Sequence, residues 1–397
     1  MEGKNCLKFA TLNTWLLPGL MHGSSKVIQR TNFITEAIST CDHDVLALQE
    51  VWIPGLFKQT ILNPENFSKN FGYFHYFRSG VVGSGLVTYS KYPIVGVDFF
   101  RFSLCGSPFR VDHGDWYGGK GVGVCYIESS VGMLSVYNTH LVADYFLSFY
   151  VEHRIIQVIE LVKFIQRTKK GHVILLGDLN FTPDSIEYEI ITKFGGLNDI
   201  WKDEKNAFTF NVANNPFRIV KSPPLRIDYV MIPNGNNCEA IEKKFVFQET
   251  NDKTVWYSDH SGLGVQLQLG TPDVQNSRFL SNSGSDALIA AKNILQKSVK
   301  KRSKIANFPT AHFMFLTLCV LAVIFLSSIA IFVLLSIFFD TSSVLTKFLF
   351  YLTALLIKIL ICLFMTMFAI QGVDEICRIR HEIVYIDFLL QTQQKMK

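Results

Sequence analysis

The chain has 397 residues, of which 49% are hydrophobic, so it is long enough for one large domain or two ordinary ones. Its formal net charge of +5 owes much to basic residues near the C-terminus, which leaves little support for a nucleic-acid partner. The eight cysteines are scattered without a Cys-x-x-Cys pair, which argues against a disulfide scaffold and a zinc site and suits a reducing compartment.

Short runs rich in β-branched and aromatic residues alternate with helical stretches up to residue 269. Strands are predicted over residues 7–15, 44–52, 83–91, 121–129, 133–141, 172–180, 225–233 and 261–269. Helices are predicted over residues 27–41 and 145–167, the second because its apolar residues recur every three to four positions. Strands and helices mixed at this spacing indicate an α/β sandwich in which helices cover paired sheets.

The composition changes after residue 270 to Ser, Asn, Gly, Thr and Pro, as expected of a linker. The following stretch, DALIAAKNILQKSVKKRSK, predicts either a basic amphipathic helix on a membrane surface or only the cytosolic boundary of a membrane span. We therefore divide the chain into a catalytic domain (1–270), a linker with a basic juxtamembrane helix (271–310), two transmembrane helices (311–370) and a cytosolic tail (371–397).

Two apolar segments support the transmembrane prediction. Residues 313–339 carry no charge and residues 344–370 carry only Lys347 and Lys358, against a requirement of about 20 apolar residues for a span. Basic residues precede the first segment and follow the second, which predicts that both outer flanks are cytosolic. The N-terminus lacks the apolar core of a secretory signal, so we expect the large N-terminal part to stay in the cytosol. Lys358 is expected to face the other span or a lipid head group.

Polar or ionisable side chains stand at the ends of the predicted strands, where a plain turn would serve as well. In the stretch LLGDLNFTP, Asp178 and Asn180 directly follow a buried strand, and one such pair would be explained by an Asx-turn. The strand ends together, however, deliver Asn13, Gln49, Glu50, Asn138, His140, Asp178, Asn180, Asp228, Asp259 and His260. This regularity predicts that the side chains meet in one site.

These residue types share a chemical use. Oxygen ligands such as those of Glu50 and Asn13 suit Mg²⁺, which is commonly held by one or two carboxylates together with substrate phosphate oxygens. Two histidines on different strands can supply an acid and a base near neutral pH. A carboxylate beside a histidine fixes the tautomer of the imidazole. The set therefore predicts metal-assisted hydrolysis of a phosphodiester.

The motifs LNTW, LQEV, NTHL, GDLN, RIDYV and SDH follow one another between residues 12 and 260. In this order they resemble the endonuclease/exonuclease/phosphatase superfamily. The resemblance implies a DNase I-like four-layer α/β sandwich, which the apolar segments would extend by a C-terminal transmembrane helical hairpin. It also implies a Mg²⁺ site in which Glu50 and Asn13 hold the ion and Asp259 supports it.

The same resemblance implies catalytic roles at the matching positions. His260 would act as general base on water, with Asp228 supporting it. Asp178 and Asn180 would position the nucleophile and the phosphoryl oxygens. His140 would stabilise or protonate the leaving group.

Two further stretches resemble the neutral sphingomyelinases within that superfamily: HYFRSGVVGSGLVTYSKYPI (75–94) and HGDWYGGKGVG (113–123). The paired C-terminal spans match the smaller vertebrate-type enzyme of this group. Asp115 and Lys120 match the Asp-Lys pair of the mammalian family, in which the lysine swings between the aspartate and the active site. The resemblance thus implies a catalytic Lys120, where the loop alone would suggest an ordinary surface lysine.

The implied activity is phospholipase C-type hydrolysis of sphingomyelin to ceramide and phosphocholine. A choline lysophospholipid is an alternative substrate, since it presents the same phosphocholine group. A membrane-tethered nuclease and a scaffold without catalysis are further alternatives, but the first would gain nothing from two spans and the second would not need every site residue. We expect no nucleic-acid partner, and the oligomeric state stays open.

A membrane anchor fits a lipid substrate, because a tethered enzyme meets it at high effective concentration. No retention or lipidation signal is evident, so the endoplasmic reticulum or the nuclear envelope is the expected location. The aromatic residues Tyr145, Phe146, Phe149 and Tyr150 could line an acyl or choline pocket. At helical spacing, however, they could equally be core residues.

Overall fold

The computed structural model describes residues 5–17, 24–52, 63, 70–110, 112–145, 150–219, 221–235, 237–252, 254–271, 284–306, 322–323, 325–330, 333 and 344–395. The chain forms two compact units. The first comprises Met1–Ala291 with Leu389–Lys397, and the second comprises Lys292–Phe388. Each unit is described by itself below.

The first unit is built on two six-stranded sheets. The strands are β1 (Cys6–Leu16), β2 (Val45–Val51), β3 (Tyr73–Phe77), β4 (Leu86–Ser90), β5 (Ile94–Arg101), β6 (Gly121–Ser129), β7 (Gly132–His140), β8 (His172–Asp178), β9 (Leu197–Asp199), β10 (Asp228–Pro233), β11 (Cys238–Val246) and β12 (Gly262–Leu269). Their orders are β11-β12-β1-β2-β4-β3 and β5-β6-β7-β8-β10-β9. In each sheet the middle pair, β1 with β2 and β7 with β8, is parallel.

The helices of this unit are α1 (Val27–Thr40), α2 (Asp115–Gly118), α3 (Val151–Thr168) and α4 (Ile186–Glu189), which continues into a π-helical turn (Ile190–Phe194). Helix α1 packs Ile34 and Ile38 against the first sheet. Helix α3 covers the second sheet, where the ring of Phe164 packs on Tyr137 of β7. The predicted four-layer α/β sandwich is therefore confirmed.

The core between the two sheets consists of the side chains on the inward faces of the strands. Leu7 and Phe9 of β1 face Ile174 and Leu176 of β8 in one buried cluster. Successive side chains of a strand point to opposite faces, so each strand gives every second residue to this core. Burying one such aliphatic side chain stabilises the fold by roughly 1.5–3 kcal/mol.

All the predicted strands and both predicted helices are present, with shifted ends: the second helix begins at Val151 instead of residue 145. Sequence patterns missed β3, β5, β9 and β11. Strands β3, β5, β9 and β11 lie at the sheet edges, and β9 has only three residues. Edge strands bury less of each face, so β5 and β11 show no clean apolar alternation.

The C-terminal part contains two long helices, α5 (Ser285–Ala306) and α6 (Val344–Lys395). Helix α5 covers the stretch after the predicted linker for which a basic amphipathic helix was one of two alternatives. In the second unit Lys292 pairs with Asp387 at 2.5 Å, and Nζ of Lys358 lies 3.2 Å and 3.0 Å from the hydroxyls of Ser327 and Ser328. These serines belong to the first predicted span, one of the partners expected for Lys358.

The transmembrane hairpin stays unconfirmed. Residues 313–321 and 334–343, which include most of the first predicted span and the link to the second, lie outside the described residues. Among the helices that are described, none has a stretch long and apolar enough to cross a bilayer.

Candidate active site

The predicted site residues meet where central strands of both sheets end. The parallel pairing of β7 with β8 places His140 directly beside Asp178, and the antiparallel pairing of β8 with β10 places Asp228 opposite Asp178. In the other sheet, Asn13 near the end of β1 is beside the end of β2, which carries Glu50. The sheets are packed face to face, so these ends come together.

Asn13 connects the two sheets at the site. Its Nδ2 donates to Oε1 of Glu50 at 3.1 Å and to Oδ2 of Asp178 at 2.8 Å. Glu50 has a left-handed backbone with φ 58, which a non-glycine residue adopts rarely. Its other oxygen, Oε2, is buried and has no hydrogen-bond partner among the described residues. An unsatisfied buried carboxylate oxygen held in a strained conformation is the feature expected of a cation ligand.

His260 and Asp228 form a hydrogen-bonded pair. Nδ1 of His260 lies 2.8 Å from Oδ2 of Asp228, and Nε2 lies 3.9 Å from Oδ2 of Asp178. The backbone N–H of His260 donates to the hydroxyl of Ser258. Burial disfavours the charged imidazole, but the charge and hydrogen bond of Asp228, with the charges of Asp259 and Asp178, outweigh it and raise the pKa of His260 to about 10.

Asp178 is the centre of the cluster and is almost fully buried. Burial and the neighbouring charge of Asp228 raise the pKa of Asp178, while His260 opposes them. Its Oδ1 accepts a hydrogen bond from the backbone N–H of Asn180, which has φ 51. The Nδ2 of Asn180 donates to the carbonyl oxygen of Leu141 at 2.9 Å. The Asp-Leu-Asn turn is thus a real Asx-turn, and it also brings both side chains to the site.

Lys120 lies inside the site and not on the surface. Its Nζ forms an ion pair with Asp115 at 2.6 Å and lies 3.0 Å from Nε2 of His140. Because the ammonium can only donate, Nε2 of His140 accepts and its proton is on Nδ1. Burial, followed by the charges of Lys120 and His260, holds the pKa of His140 well below its usual range. In this arrangement His140 is neutral and cannot donate a proton from Nε2.

Two sets of residues could hold a divalent cation. Ligand atoms of Asp178, Asp228 and His260 all lie within 4.8 Å of one another. In that set Oδ2 of Asp228 is bonded to His260, while its buried Oδ1 has no hydrogen-bond partner among the described residues. The unpartnered Oε2 of Glu50 equally supports the predicted set, in which Asn13 and Asp259 are the other members. Burial raises the pKa of Asp259 to about 6, with the charge of Glu50 adding to it, so a cation nearby would be stabilising.

Sequence reasoning missed Arg30, a fully buried cation next to the site. Its guanidinium donates to the carbonyl oxygens of Thr14 and Trp15 after Asn13 and to that of Tyr257 before the Ser-Asp-His segment. Burial lowers the pKa of Arg30 to about 10, against the charges of Asp259 and Glu50. A signal was present in the sequence, because Arg30 is four residues before Ile34, on the apolar face of α1.

Gln49 and Asn138 do not reach the cluster, although they also stand near strand ends. Nε2 of Gln49 donates to Oδ1 of Asn138 at 2.7 Å, and Nδ2 of Asn138 donates to the carbonyl oxygen of Val87 at 2.9 Å. Both are fully buried and join the two sheets behind the site. Of the aromatic residues considered for a pocket, Phe146 and Phe149 lie outside the described residues.

A model of the "Endonuclease/Exonuclease/phosphatase family" matches residues 10–260. A "Putative neutral sphingomyelinase" of Drosophila melanogaster is 34% identical over 280 residues, which cover 66% of this chain and 61% of that protein. An "Inositol phosphosphingolipids phospholipase C" of Schizosaccharomyces pombe is 31% identical over 76% of this chain and 78% of that protein. "Sphingomyelin phosphodiesterase 2" of Homo sapiens is 30% identical over 64% and 61%.

Solved structures agree on the fold. The crystal structure of SmcL superposes with a TM-score of 0.53 and 19% identity, covering 66% of this chain and 99% of that one. A complex of D. rerio TDP2 with a single-strand DNA product gives a TM-score of 0.53 at 15% identity, covering 66% and 98%. The first unit therefore has the fold shared by these proteins, which confirms the DNase I-like prediction.

Proposed function

The chain belongs to the endonuclease/exonuclease/phosphatase family, and we propose that it hydrolyses the phosphodiester bond of sphingolipids. In sphingomyelin, water would attack phosphorus and the bond to the ceramide oxygen would break, giving ceramide and phosphocholine. The observation that carries this proposal is the His260–Asp228 pair beside Asp178. The names of relatives that match this chain support a sphingolipid as substrate.

His260 is the proposed general base. Asp228 accepts the hydrogen on Nδ1, which leaves Nε2 with a lone pair directed towards the cluster once the ring is neutral. Asp178 and Asn180 would orient the water and the phosphoryl oxygens. Lys120 would supply positive charge close to the phosphate, because its ammonium is next to His140 at the end of β7, within the same site.

We propose Mg²⁺ as the cofactor, held by Glu50, Asn13 and Asp259. The residues fit a hard cation, since they offer carboxylate and amide oxygens and Glu50 Oε2 has no other partner in the described structure. When bound, the ion would polarise a phosphoryl oxygen and, by its charge, lower the pKa of His260 towards the range of a general base.

The relatives share a sphingolipid in their names but differ in its head group. Two relatives are named for different head groups, phosphocholine in one case and inositol phosphate in the other, while both names specify a sphingolipid. We propose sphingomyelin, with a choline lysophospholipid as the alternative. A nuclease is disfavoured by the modest net charge of the chain.

We further propose that the two C-terminal apolar segments anchor the chain as a multi-pass membrane protein, with the catalytic domain in the cytosol at the endoplasmic reticulum or nuclear envelope. The apolar length of residues 313–339 and 344–370 and the basic residues outside them support this topology. Carbonate extraction of cell membranes tests it. Release of the full chain into the soluble fraction would contradict the anchor.

The deciding experiment for the activity uses the purified full chain in detergent micelles. Labelled sphingomyelin, an inositol phosphosphingolipid, a choline lysophospholipid and a nicked duplex DNA are incubated in parallel, each with Mg²⁺ and with EDTA. Mg²⁺-dependent release of phosphocholine from sphingomyelin is the expected result. Cleavage of the duplex alone would refute the lipid assignment and leave only the phosphodiesterase chemistry.

A further inference from the structure

The ammonium group of Lys120 is enclosed by three acceptors. Its Nζ lies 2.6 Å from Oδ1 of Asp115 and 3.0 Å from Nε2 of His140. The third acceptor, at 2.8 Å, is the carbonyl oxygen of Leu141. An ammonium has three N–H donors, and the side chain is only 2% exposed, so all of them are used within the protein. Of these three acceptors Asp115 is the charged one, so it makes the strongest of the bonds that hold Lys120 in place.

Asp115 is itself held from the other side. Its second oxygen, Oδ2, accepts a hydrogen bond from the hydroxyl of Tyr145 at 2.9 Å and one from the backbone N–H of Ala143 at 3.2 Å. Tyr145 and Ala143 belong to the segment that follows His140 in the chain. The buried carboxylate thus divides its two oxygens between Lys120 and this segment. Its orientation is set by the groups bonded to Oδ2.

The ring of Tyr145 is fixed independently of Asp115. It stacks parallel to the imidazole of His113, with 3.7 Å between ring centroids and 4° between planes. Its one hydroxyl hydrogen is shared between the carbonyl oxygen of His113 and Oδ2 of Asp115 in a three-centre hydrogen bond, and Nδ1 of His113 is 3.0 Å from the hydroxyl of Tyr150. Burial and the charge of Asp115 raise the pKa of Tyr145, so its hydroxyl keeps its hydrogen and donates.

We propose that Tyr145 is a positioning residue, which orients Asp115 so that Lys120 is held against His140. In the described part of the chain Tyr145 has no hydrogen bond to His140 or to the proposed metal ligands Glu50, Asn13 and Asp259, and it acts through the carboxylate of Asp115. The stacking on His113 explains why an aromatic residue stands here, and the hydrogen bond explains why it is a tyrosine. The role of Lys120 in hydrolysis rests on the proposed function, but its placement by Tyr145 does not.

The first test reads the placement without using activity. Tyr145→Phe removes the donor and keeps the stacked ring. Under native conditions the full chain is treated with acetic anhydride, and the acetylation rate of Lys120 is followed by peptide mass spectrometry against the exposed Lys205 as internal standard. A hydrogen bond to a charged group is strong enough that labelling of Lys120 should rise by roughly tenfold. An unchanged rate would overturn the proposal.

Tyr137→Phe is the matched control. Tyr137 is also buried, and its hydroxyl lies 2.9 Å from the hydroxyl of Thr168, with no bond to Asp115. Labelling of Lys120 should stay at the wild-type rate in this variant. A rise equal to that in Tyr145→Phe would mean that loosening of the fold, and not Asp115, exposes the lysine, and the proposal would fall.

The second test separates positioning from a general loss of structure. On sphingomyelin, Tyr145→Phe should lower kcat by roughly tenfold and change KM less. In an Asp115→Ala background the same substitution should lower kcat no further, since the carboxylate it orients is gone. Equal losses in both backgrounds would refute the proposal. If the wild type hydrolyses no sphingolipid, the proposed function fails, and the labelling rates alone decide the role of Tyr145.

Discussion

Nδ1 of His260 lies 2.8 Å from Oδ2 of Asp228, although the two residues come from different segments of the chain and Asp228 begins strand β10. The pair is buried and stands at the junction of both sheets. A carboxylate in this place fixes the tautomer of the imidazole and leaves Nε2 for proton transfer. The catalytic prediction follows from this geometry.

Replacing His260 by Gln should lower kcat on sphingomyelin by about 10²–10⁴-fold, the range of a general acid–base group. Asp228→Asn should lower it less, because the base remains while its tautomer is no longer fixed. Both are measured as phosphocholine release at saturating substrate. His172→Gln is the control, since His172 is also buried but contacts Cys238 at the far end of β8. Near-normal turnover of His260→Gln would remove its role as base.

Replacing Glu50 by Gln should weaken Mg²⁺ binding, because a charged ligand becomes neutral while its shape is kept. Calorimetric titration of the purified protein should show a loss of roughly 100-fold or more in affinity, since even residues that only support a metal ligand contribute about 10–100-fold. Glu128→Gln, at an exposed position in β6, should bind the ion as the wild type does. If Asp228→Asn weakens binding and Glu50→Gln does not, the ion is held by Asp178, Asp228 and His260 instead.

Gly177→Ala should destabilise the first unit by about 1–3 kcal/mol through overpacking. A Cβ at this position would lie 2.1 Å from the carbonyl oxygen of Thr139, on the neighbouring strand β7. Because Asp178 follows directly, activity should fall as well. Urea denaturation measures the stability, with Gly72→Ala as control, where the nearest atom to a Cβ is 3.7 Å away. Equal midpoints for the two variants would refute the clash.

His43 should make the protein less stable in mild acid. Burial, followed by the charge of Lys244, lowers the pKa of His43 from 6.5 to about 4. The unfolded chain therefore takes up the proton first, so stability is complete above about pH 6.5 and is lost as the pH falls towards 4, by up to about 3 kcal/mol.

Urea midpoints between pH 7 and pH 4 measure this effect. In His43→Leu the free energy of unfolding should fall less over this range, by up to about 3 kcal/mol, because the buried imidazole that takes up a proton is gone. His75→Leu is a weaker comparison, because His75 is less buried in the edge strand β3 and its pKa is lowered by burial to a lesser degree. An acid limb that is identical in wild type and His43→Leu would exclude His43 as its source.

The apolar pattern was enough to predict the α/β sandwich, since central strands such as β2 and β8 are short, nearly continuous apolar runs. It failed for β5 and β11, which lie at sheet edges with several exposed residues and therefore lack such a run. The motif order also predicted the residues of the cluster. The proposed reaction requires carboxylates, amides and histidines at fixed positions, so these residues can be recognised one by one in the sequence.

Other features depended on contacts between distant parts of the chain. Asn13 and Asp178 are 165 residues apart and share a 2.8 Å hydrogen bond, which no local sequence pattern predicts. The same holds for Gln49 and Asn138, which stand near strand ends like the proposed catalytic residues but join the sheets behind the site. Sequence alone thus determined the fold class and the chemical inventory of this protein. Tertiary structure decided which polar side chain faces the site and which partner each atom meets, because those depend on how the two sheets are packed.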